Sequence, residues 1–229
     1  MFLRKNNTLK WKWIIFAAAL TIVLCLSGIF WFDKPLLLFF RQFDLFGWHA
    51  IDVVFAAKIW LVASGVIALV IFIKNALKSK NKSEEDTIKF NIKKIIANFL
   101  EKSKGNYSFL IFCSVFFADL ATAALKFGFG RQRPIFFEAL GQTGFYPLTS
   151  EWAFNSMPSG HAAASFAGLV MIGMLFPRIK WATWTIAIIV GASRIAYGAH
   201  WPSDIILGAF VGMLSADIAK SFFFADRNN

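Results

Sequence analysis

Length, composition and charge together predict a membrane protein. The chain has 229 residues, 58% of them hydrophobic and 17% aromatic, whereas a soluble domain is about half apolar. The net charge of +11 is spread over short hydrophilic segments between apolar runs, which is typical of membrane-protein loops and excludes a nucleic-acid partner. Cys25 and Cys113 lie inside apolar runs, which disfavours a structural disulfide or a cysteine-based zinc site.

Six apolar runs have the length of about 20 residues that crosses a bilayer core. The first run follows Arg4 and Lys5, as a signal peptide would. Its apolar stretch is longer than a signal peptide needs and ends without a cleavage site of small residues, so we interpret it as a retained helix. The sequence therefore predicts an all-α bundle of six transmembrane helices, forming a single domain over residues 1–229. The predicted spans are 13–32, 53–73, 107–126, 160–177, 181–197 and 204–224.

Basic segments indicate the orientation of these spans. The N-terminus, the stretch 74–104 and the turn at Arg178 and Lys180 are rich in Lys or Arg, and six spans put all three on one side. The positive-inside rule makes that side cytoplasmic, with both termini there. Loops 127–159 and 198–203 then face outwards, towards the periplasm if the membrane is a bacterial inner membrane.

Two further segments are predicted to lie at the membrane surface. Residues 88–100 place Ile, Phe and Leu at helical spacing opposite three lysines. This pattern is typical of either a helix on the anionic cytoplasmic surface or a solvated lead-in to the third span. Residues 35–47 are rich in Leu and Phe but too short to span, so we expect them in the outer leaflet.

Three clusters of polar residues fall at the outer ends of the predicted spans. Charged and histidine side chains at membrane depth are costly and usually functional. Each cluster alone has a plainer explanation, as flanking charges or ordinary helix ends. All three lie on one face, although the topology was derived without them, so together they predict a site. The clusters are Lys126 with Arg133-Pro134, Pro158-Ser159-Gly160-His161, and Ser193-Arg194 with His200 and Asp204.

Five of these residues are suited to binding phosphate. Lys126, Arg133 and Arg194 supply three cations, and a guanidinium group donates two parallel hydrogen bonds to phosphate oxygens. Ser159 and Gly160 open the fourth predicted span, where free backbone N–H groups and the helix dipole favour an anion. Gly160 lets the backbone come close to a ligand because it has no Cβ.

Two histidines and a carboxylate suit a two-step displacement at phosphorus. One imidazole attacks phosphorus while the other gives a proton to the leaving oxygen. Asp204 lies four residues after His200, about one helical turn, and is the candidate for holding that imidazole in the required tautomer.

The three clusters resemble the signature motifs of the type 2 phosphatidic acid phosphatases, also called lipid phosphate phosphatases. The family pattern is Lys-x6-Arg-Pro, Pro-Ser-Gly-His and Ser-Arg-x5-His-x3-Asp, and residues 126–204 match every position in order. The resemblance implies that His200 is a nucleophile forming a phosphohistidine, that Asp204 orients it, and that His161 protonates the leaving alcohol and then activates water. It implies no metal and no other cofactor. The implied phosphate-binding residues are Lys126, Arg133, Ser159, Gly160, Ser193 and Arg194.

The resemblance implies a bacterial membrane-bound phosphatase that acts on a phosphate monoester or pyrophosphate of a lipid in the outer leaflet. Candidate substrates are undecaprenyl pyrophosphate, phosphatidylglycerol phosphate, phosphatidic acid and lipid A, and the aromatic loop 136–155 is expected to select among them. A lipid phosphotransferase using the same phosphohistidine is an alternative, and a non-enzymatic phospholipid carrier a weaker one. Soluble vanadium haloperoxidases share the motifs, but six apolar spans disfavour them.

Three charged residues of the predicted spans lie outside the motifs. Asp119, two helical turns before Lys126, is expected to make a structural contact within the bundle; tuning of the site or a pair with a buried cation is the alternative. Lys58 is expected to extend towards the membrane surface. Asp217 has no evident role in the sequence pattern.

Overall fold

The apolar runs form helices in the computed structural model, which describes residues 1–43, 51, 53–80, 101 and 105–224. Isolated bridges pair Leu3 with Leu9 and Arg131 with Phe145, and the described residues contain no β-strand. The described chain is thus all-helical, as predicted. In chain order the helices are α1 (Trp11–Ser27), α2 (Asp33–Arg41), α3 (Ala57–Lys80), α4 (Tyr107–Phe129), α5 (Pro134–Leu140), α6 (Gly160–Leu175), α7 (Lys180–Ala196) and α8 (Pro202–Phe224).

Four helical stretches within the described ranges are long and apolar enough to cross a membrane. They are Trp11–Arg41, Lys58–Asn75, Tyr107–Phe129 and Pro202–Phe224. Helices α6 and α7 have only 16 and 17 residues, so helix length does not confirm the predicted count of six spans. The side of the membrane on which each end lies also stays a prediction, as does the extent of the single domain.

The first span is longer than the sequence predicted. A π-helical turn at Gly28–Phe32 joins α1 to α2, so the helix continues to Arg41 instead of ending near residue 32. Asp33, just beyond the predicted first span 13–32, is therefore helical and buried, as is Leu37. Residues 35–41 therefore continue the first helix, and their position in the outer leaflet stays a prediction. The amphipathic segment 88–100 lies outside the described residues.

Helix α6 lies at the centre of the bundle, and most of its side chains are buried. Two glycines let α8 pack directly against it. A Cβ on Gly208 would lie 2.6 Å from the Ser159 carbonyl oxygen, and one on Gly212 would lie 2.3 Å from that of Ala163. Small residues allow this close approach between membrane helices. The contact brings the first turns of α6 and α8 side by side, and both carry candidate site residues.

Capping residues determine where the helices of the site begin and end. The Ser159 hydroxyl accepts a hydrogen bond from the Ala162 N–H and caps α6. Helix α4 ends at Gly130, whose φ of +58° is left-handed. A Cβ on Gly130 would lie 1.7 Å from the Tyr146 carbonyl oxygen, so only glycine fits there. This sharp end turns the chain so that Arg131 points into the bundle, where it is buried.

Candidate active site

The three polar clusters meet at one end of the bundle, where the ends of α4 and α7 adjoin the starts of α6 and α8. The backbone N–H of Ser159 donates to the Asp204 carbonyl over 3.0 Å, which ties α6 to α8. Arg133, just after α4, donates through Nη1 to the Ala199 carbonyl over 3.1 Å. Residues far apart in the sequence thus share one site.

A cavity of about 560 Å³ opens at this junction. Four predicted site residues line it: two are the candidate catalytic histidines and two are arginines. Arg41, from the end of α2, also lines it, although it belongs to the segment 35–47 that the sequence placed outside the site. The lining residues are Arg41, Arg133, Ile135, Trp152, His161, Arg194, Tyr197, Gly198, Ala199 and His200.

His200 is buried, and its tautomer is determined by a backbone carbonyl. Its Nδ1 lies 2.8 Å from the carbonyl oxygen of Ser156, which can only accept a hydrogen bond. Nδ1 therefore carries the proton, and Nε2 keeps its lone pair. Burial lowers the pKa of His200 well below its usual value near 6.5, so the ring is neutral at pH 7. A neutral imidazole with a free Nε2 lone pair is a competent nucleophile.

Asp204 holds the residues around His200 rather than the imidazole itself. Its Oδ2 lies 3.7 Å from His200 Nδ1, beyond hydrogen-bonding distance. The same oxygen accepts hydrogen bonds from the Ser156 hydroxyl at 2.5 Å and the Trp201 N–H at 2.9 Å. We had expected Asp204 to set the tautomer directly; in the structure the Ser156 carbonyl does so, because it occupies the position facing Nδ1. Asp204 is still close enough to stabilise positive charge on the ring.

Sequence reasoning missed a buried ion-pair network behind His200. Arg131 donates from Nη1 to Asp204 and from Nη2 to Asp33, each over 2.7 Å. Burial disfavours the Arg131 cation, but Asp204 and Asp33 outweigh it and raise its pKa above the usual value. Arg131 lies between Lys126 and Arg133 of the first cluster, so its charge was visible in the sequence. Asp33 gave only the weak signal of a carboxylate at the end of an apolar run.

Arg133 reaches the cavity while anchored to its rim. Its Nε donates to the Trp152 carbonyl over 2.9 Å and its Nη2 to the Asn155 carbonyl over 3.3 Å. The guanidinium also stacks on the Trp152 ring, 4.4 Å from its centroid. Burial and neighbouring Arg194 lower the pKa of Arg133 to about 10, against the opposing effect of Asp204, so it is cationic at pH 7.

The remaining predicted phosphate ligands differ in where they lie. Lys126 donates to the Asn155 carbonyl and is not among the residues that line the cavity. Ser159 and Gly160 form the start of α6, next to His161. The Ser193 hydroxyl donates to the Val190 carbonyl of its own helix over 2.7 Å, so this structure gives it no role in the cavity.

The three charged residues outside the motifs differ in burial and in their contacts. Asp217 is fully buried, and its Oδ2 accepts a hydrogen bond from the Phe2 N–H over 2.7 Å, which gives it a structural role at the opposite end of α8. Asp119 is exposed on α4, and its carboxylate interacts electrostatically with Lys126 two turns further along the same helix. Lys58 is exposed on α3. Within the described ranges, no group of three or more His, Cys, Asp or Glu side chains is arranged as a metal site.

Comparison with known proteins agrees with this geometry. The sequence profile of the PAP2 superfamily matches residues 107–227, more than half of the chain, including all three clusters. The chain belongs to the PAP2 superfamily. This confirms the resemblance found from the motifs, and together with the four helices of membrane-spanning length it identifies an integral membrane protein.

Several curated relatives of this PAP2 chain are lipid phosphatases. The lipid A 1-phosphatase of Rhizobium etli is 41% identical over 106 residues, which are 46% of each chain. The undecaprenyl-diphosphatase of Sulfolobus acidocaldarius is 37% identical over 71 residues, 29% of this chain and 34% of that one. Phosphatidylglycerophosphatase B of Escherichia coli is 36% identical over 83 residues, 31% and 32% of the two chains. The match spans less than half the length of each of these relatives.

A crystal structure of Aquifex aeolicus LpxE also matches, with a TM-score of 0.41 and 24% identity over 54% of this chain and 73% of that one.

Proposed function

We propose that this protein is a phosphatase that removes phosphate from a membrane lipid through a phosphohistidine on His200. The observation that carries the proposal is the cavity in which His200 and His161 lie beside Arg133 and Arg194. The hydrogen bond from Nδ1 to Ser156 leaves Nε2 of His200 as the attacking atom. The lipid phosphatases among the relatives support removal of phosphate from a lipid.

In the first step, Nε2 of His200 attacks phosphorus and the bond from phosphorus to the lipid oxygen breaks. The electron pair of that bond goes to the leaving oxygen, which takes a proton from His161. The ring then bears a phosphoryl group on Nε2 and a proton on Nδ1, so it is formally cationic. The Ser156 carbonyl and the Asp204 carboxylate, 3.7 Å from Nδ1, stabilise that charge.

In the second step, water attacks the phosphohistidine. His161, now unprotonated, takes a proton from the water as the bond from Nε2 to phosphorus breaks and its electron pair returns to Nε2. Phosphate leaves and the enzyme is restored. Arg133 and Arg194, with Lys126 and the backbone N–H of Gly160 at the start of α6, stabilise the charge on the phosphoryl oxygens in both steps. The N–H of Ser159 is used in its hydrogen bond to the Asp204 carbonyl.

The substrate is a phosphate monoester or pyrophosphate of a membrane lipid. The names of the relatives favour lipid A as the first candidate, followed by undecaprenyl pyrophosphate and phosphatidylglycerol phosphate. Phosphatidic acid is a further candidate. We place the protein in a bacterial inner membrane, with the cavity facing the periplasm and both termini in the cytoplasm, because of the distribution of basic residues. The reaction as proposed uses protein side chains only.

Phosphate release by the detergent-purified protein tests this proposal. The assay uses the four candidate lipids in excess EDTA, with His200→Ala and His161→Ala as variants and Arg178→Gln, exposed in the turn before α7, as the control. We expect release that survives EDTA, disappears in His200→Ala and persists in Arg178→Gln. Release that needs an added lipid acceptor would show the phosphotransferase instead. Binding of the lipids by folded protein without any release would favour the carrier and refute the proposal.

A further inference from the structure

Asp33 is a buried carboxylate that contacts the candidate site from outside the motifs. It lies in α2, well before the residues that match the PAP2 superfamily, and only 2% of its surface is exposed. Its Oδ2 accepts hydrogen bonds from Arg131 Nη2 over 2.7 Å and from the Ser203 hydroxyl over 2.6 Å. Its Oδ1 accepts from the Ser203 N–H over 2.9 Å. Both oxygens are thus committed to partners that adjoin Asp204.

The helix geometry before Asp33 directs this side chain inwards. The π-helical turn Gly28–Phe32 inserts extra backbone into the helix and changes the register of everything after it. Such turns occur frequently at functional sites. A Cβ on Gly28 would lie 2.7 Å from Ser203 Cβ and 3.0 Å from Asp33 Oδ1, so glycine is needed for the contact. Two independent features of the first span therefore serve the same contact.

Arg131 connects Asp33 to Asp204, and the Ser203 hydroxyl bridges Arg131 and Asp33. Arg131 pairs with both carboxylates, and its Nη1 also donates to the Ser203 hydroxyl over 2.6 Å. That hydroxyl in turn donates to Asp33. All four side chains are buried, so water does not screen the interactions between them. Rotation of Asp204 would break contacts with several partners at once.

The charges of this network are matched to the proposed reaction. Asp33 and Asp204 contribute two negative charges and Arg131 one positive charge, which leaves one negative charge beside His200. The imidazole is neutral before the reaction and becomes formally cationic when Nε2 is phosphorylated. The network therefore compensates a charge that exists only during the reaction, which is the condition for lowering the barrier.

We propose that Asp33 is a positioning residue for the reaction at His200, acting through Arg131 and Ser203 on Asp204. It holds the Asp204 carboxylate beside Nδ1 and supplies the negative charge that keeps the network anionic. This inference rests on the proposed function. It makes α2 part of the catalytic machinery, although the motifs lie entirely between residues 126 and 204.

The variant Asp33→Asn tests the inference with little change of shape. In this variant, an amide NH2 group faces a hydrogen-bond donor at the position where a carboxylate oxygen of Asp33 accepted. The substitution also removes one negative charge. Orthovanadate, which resembles the phosphoryl group in the transition state, is the first probe, and inorganic phosphate is the second. We expect the affinity for vanadate and kcat each to fall about tenfold or more, as for coupled residues of one network. The affinity for phosphate and KM should change less than about twofold, because neither complex places positive charge on the ring.

Asp217→Asn is the matched control, because Asp217 is also a fully buried carboxylate but lies at the other end of α8. We expect it to lower the melting temperature without changing the affinity for vanadate. If Asp33→Asn also lowers only the melting temperature, Asp33 is merely structural and the inference is wrong.

Ser203→Ala provides a second variant if Asp33→Asn does not fold. It removes the bridging hydroxyl but keeps both ion pairs of Arg131, and we expect it to weaken vanadate about threefold or more. Unchanged vanadate affinity in Ser203→Ala would overturn the inference. Failure of the wild-type protein to hydrolyse any lipid would refute the proposed function alone, since vanadate binding is measured by calorimetry without turnover.

Discussion

Replacing Arg131 by methionine removes the cation that bridges two buried carboxylates while keeping a side chain of similar length. Arg131 lies 2.7 Å from Asp33 Oδ2 and 2.7 Å from Asp204 Oδ1, and its own surface is 6% exposed. In Arg131→Met, the two carboxylates face each other across an apolar group, and each keeps hydrogen bonds only from serine or backbone donors. The folded state is therefore destabilised mainly by charge that it can neither pair nor hydrate.

The expected loss of stability follows from the cost of breaking a buried ion pair. Removing one partner costs about 3–5 kcal/mol, because the other charge stays buried. The remaining hydrogen bonds to Asp33 and Asp204 keep the expected loss within that range despite the second carboxylate. For a chain of this size, each kcal/mol lowers the melting temperature by about 2–4 °C, so the decrease should be about 6–20 °C.

Thermal unfolding in one detergent, at one scan rate and at pH 7.5, measures this effect. Arg178→Met is the matched control, because Arg178 is exposed in the turn before α7, and its change should stay within about 0.5 kcal/mol. Adding Asp33→Asn to Arg131→Met should recover about half of the loss, since it removes one of the two unpaired carboxylates. The reasoning is refuted if Arg131→Met melts like the control, or if the added Asp33→Asn lowers the melting temperature further.

Three further predictions follow from the site and the packing. The leaving group of a nitrophenyl phosphate needs no acid, so with this substrate labelled in its phosphate, His161→Ala should accumulate a labelled phosphoprotein. His200→Ala should form none. Absence of label in His161→Ala would contradict the role of His161 as the base of the second step. Burial lowers the pKa of His200 below 6.5, and the nucleophile must be unprotonated, so kcat/KM measured against pH should show its acid limb below pH 6.5. An acid limb at pH 7 or above would disagree. Gly212→Ala should destabilise the protein by about 1–3 kcal/mol, because its Cβ would lie 2.3 Å from a carbonyl oxygen of α6. Gly128→Ala, whose Cβ would have nothing within 4 Å, should melt like wild type. Equal melting temperatures for the two variants would show that α8 does not need this close approach.

The helices and the motifs were predictable because both are local properties of the chain. Apolar runs of about 20 residues gave the positions of α4, α6, α7 and α8 to within about three residues, whereas α3 extends about seven residues past its predicted end. The prediction failed at the end of the first span, because the π-helical turn carries the helix past Asp33 and no hydrophobic pattern records such a turn. The amphipathic interpretation of residues 88–100 falls outside the described part of the chain and stays a prediction.

The site was predictable in its parts but not in its contacts. Spacing alone brought out His161, His200 and the two cavity arginines, since their motifs are short and continuous. It did not show that the partner of His200 Nδ1 is the carbonyl of Ser156, because any residue has a carbonyl and the side-chain pattern is silent about it. Nor did it show that the Ser193 hydroxyl is used within its own helix.

By itself, the sequence determined that this is a helical membrane protein, and it predicted a set of histidines and arginines that act on phosphate. Both follow from hydropathy and short motifs, which are properties of neighbouring residues. The tertiary structure alone decided that Asp33 joins that set. Asp33 and Arg131 are 98 residues apart, and only the packing of α2 against the start of α8 brings them within 2.7 Å. A buried carboxylate is stable only where donors from other helices converge on it, and that convergence is a property of the folded bundle rather than of any one segment.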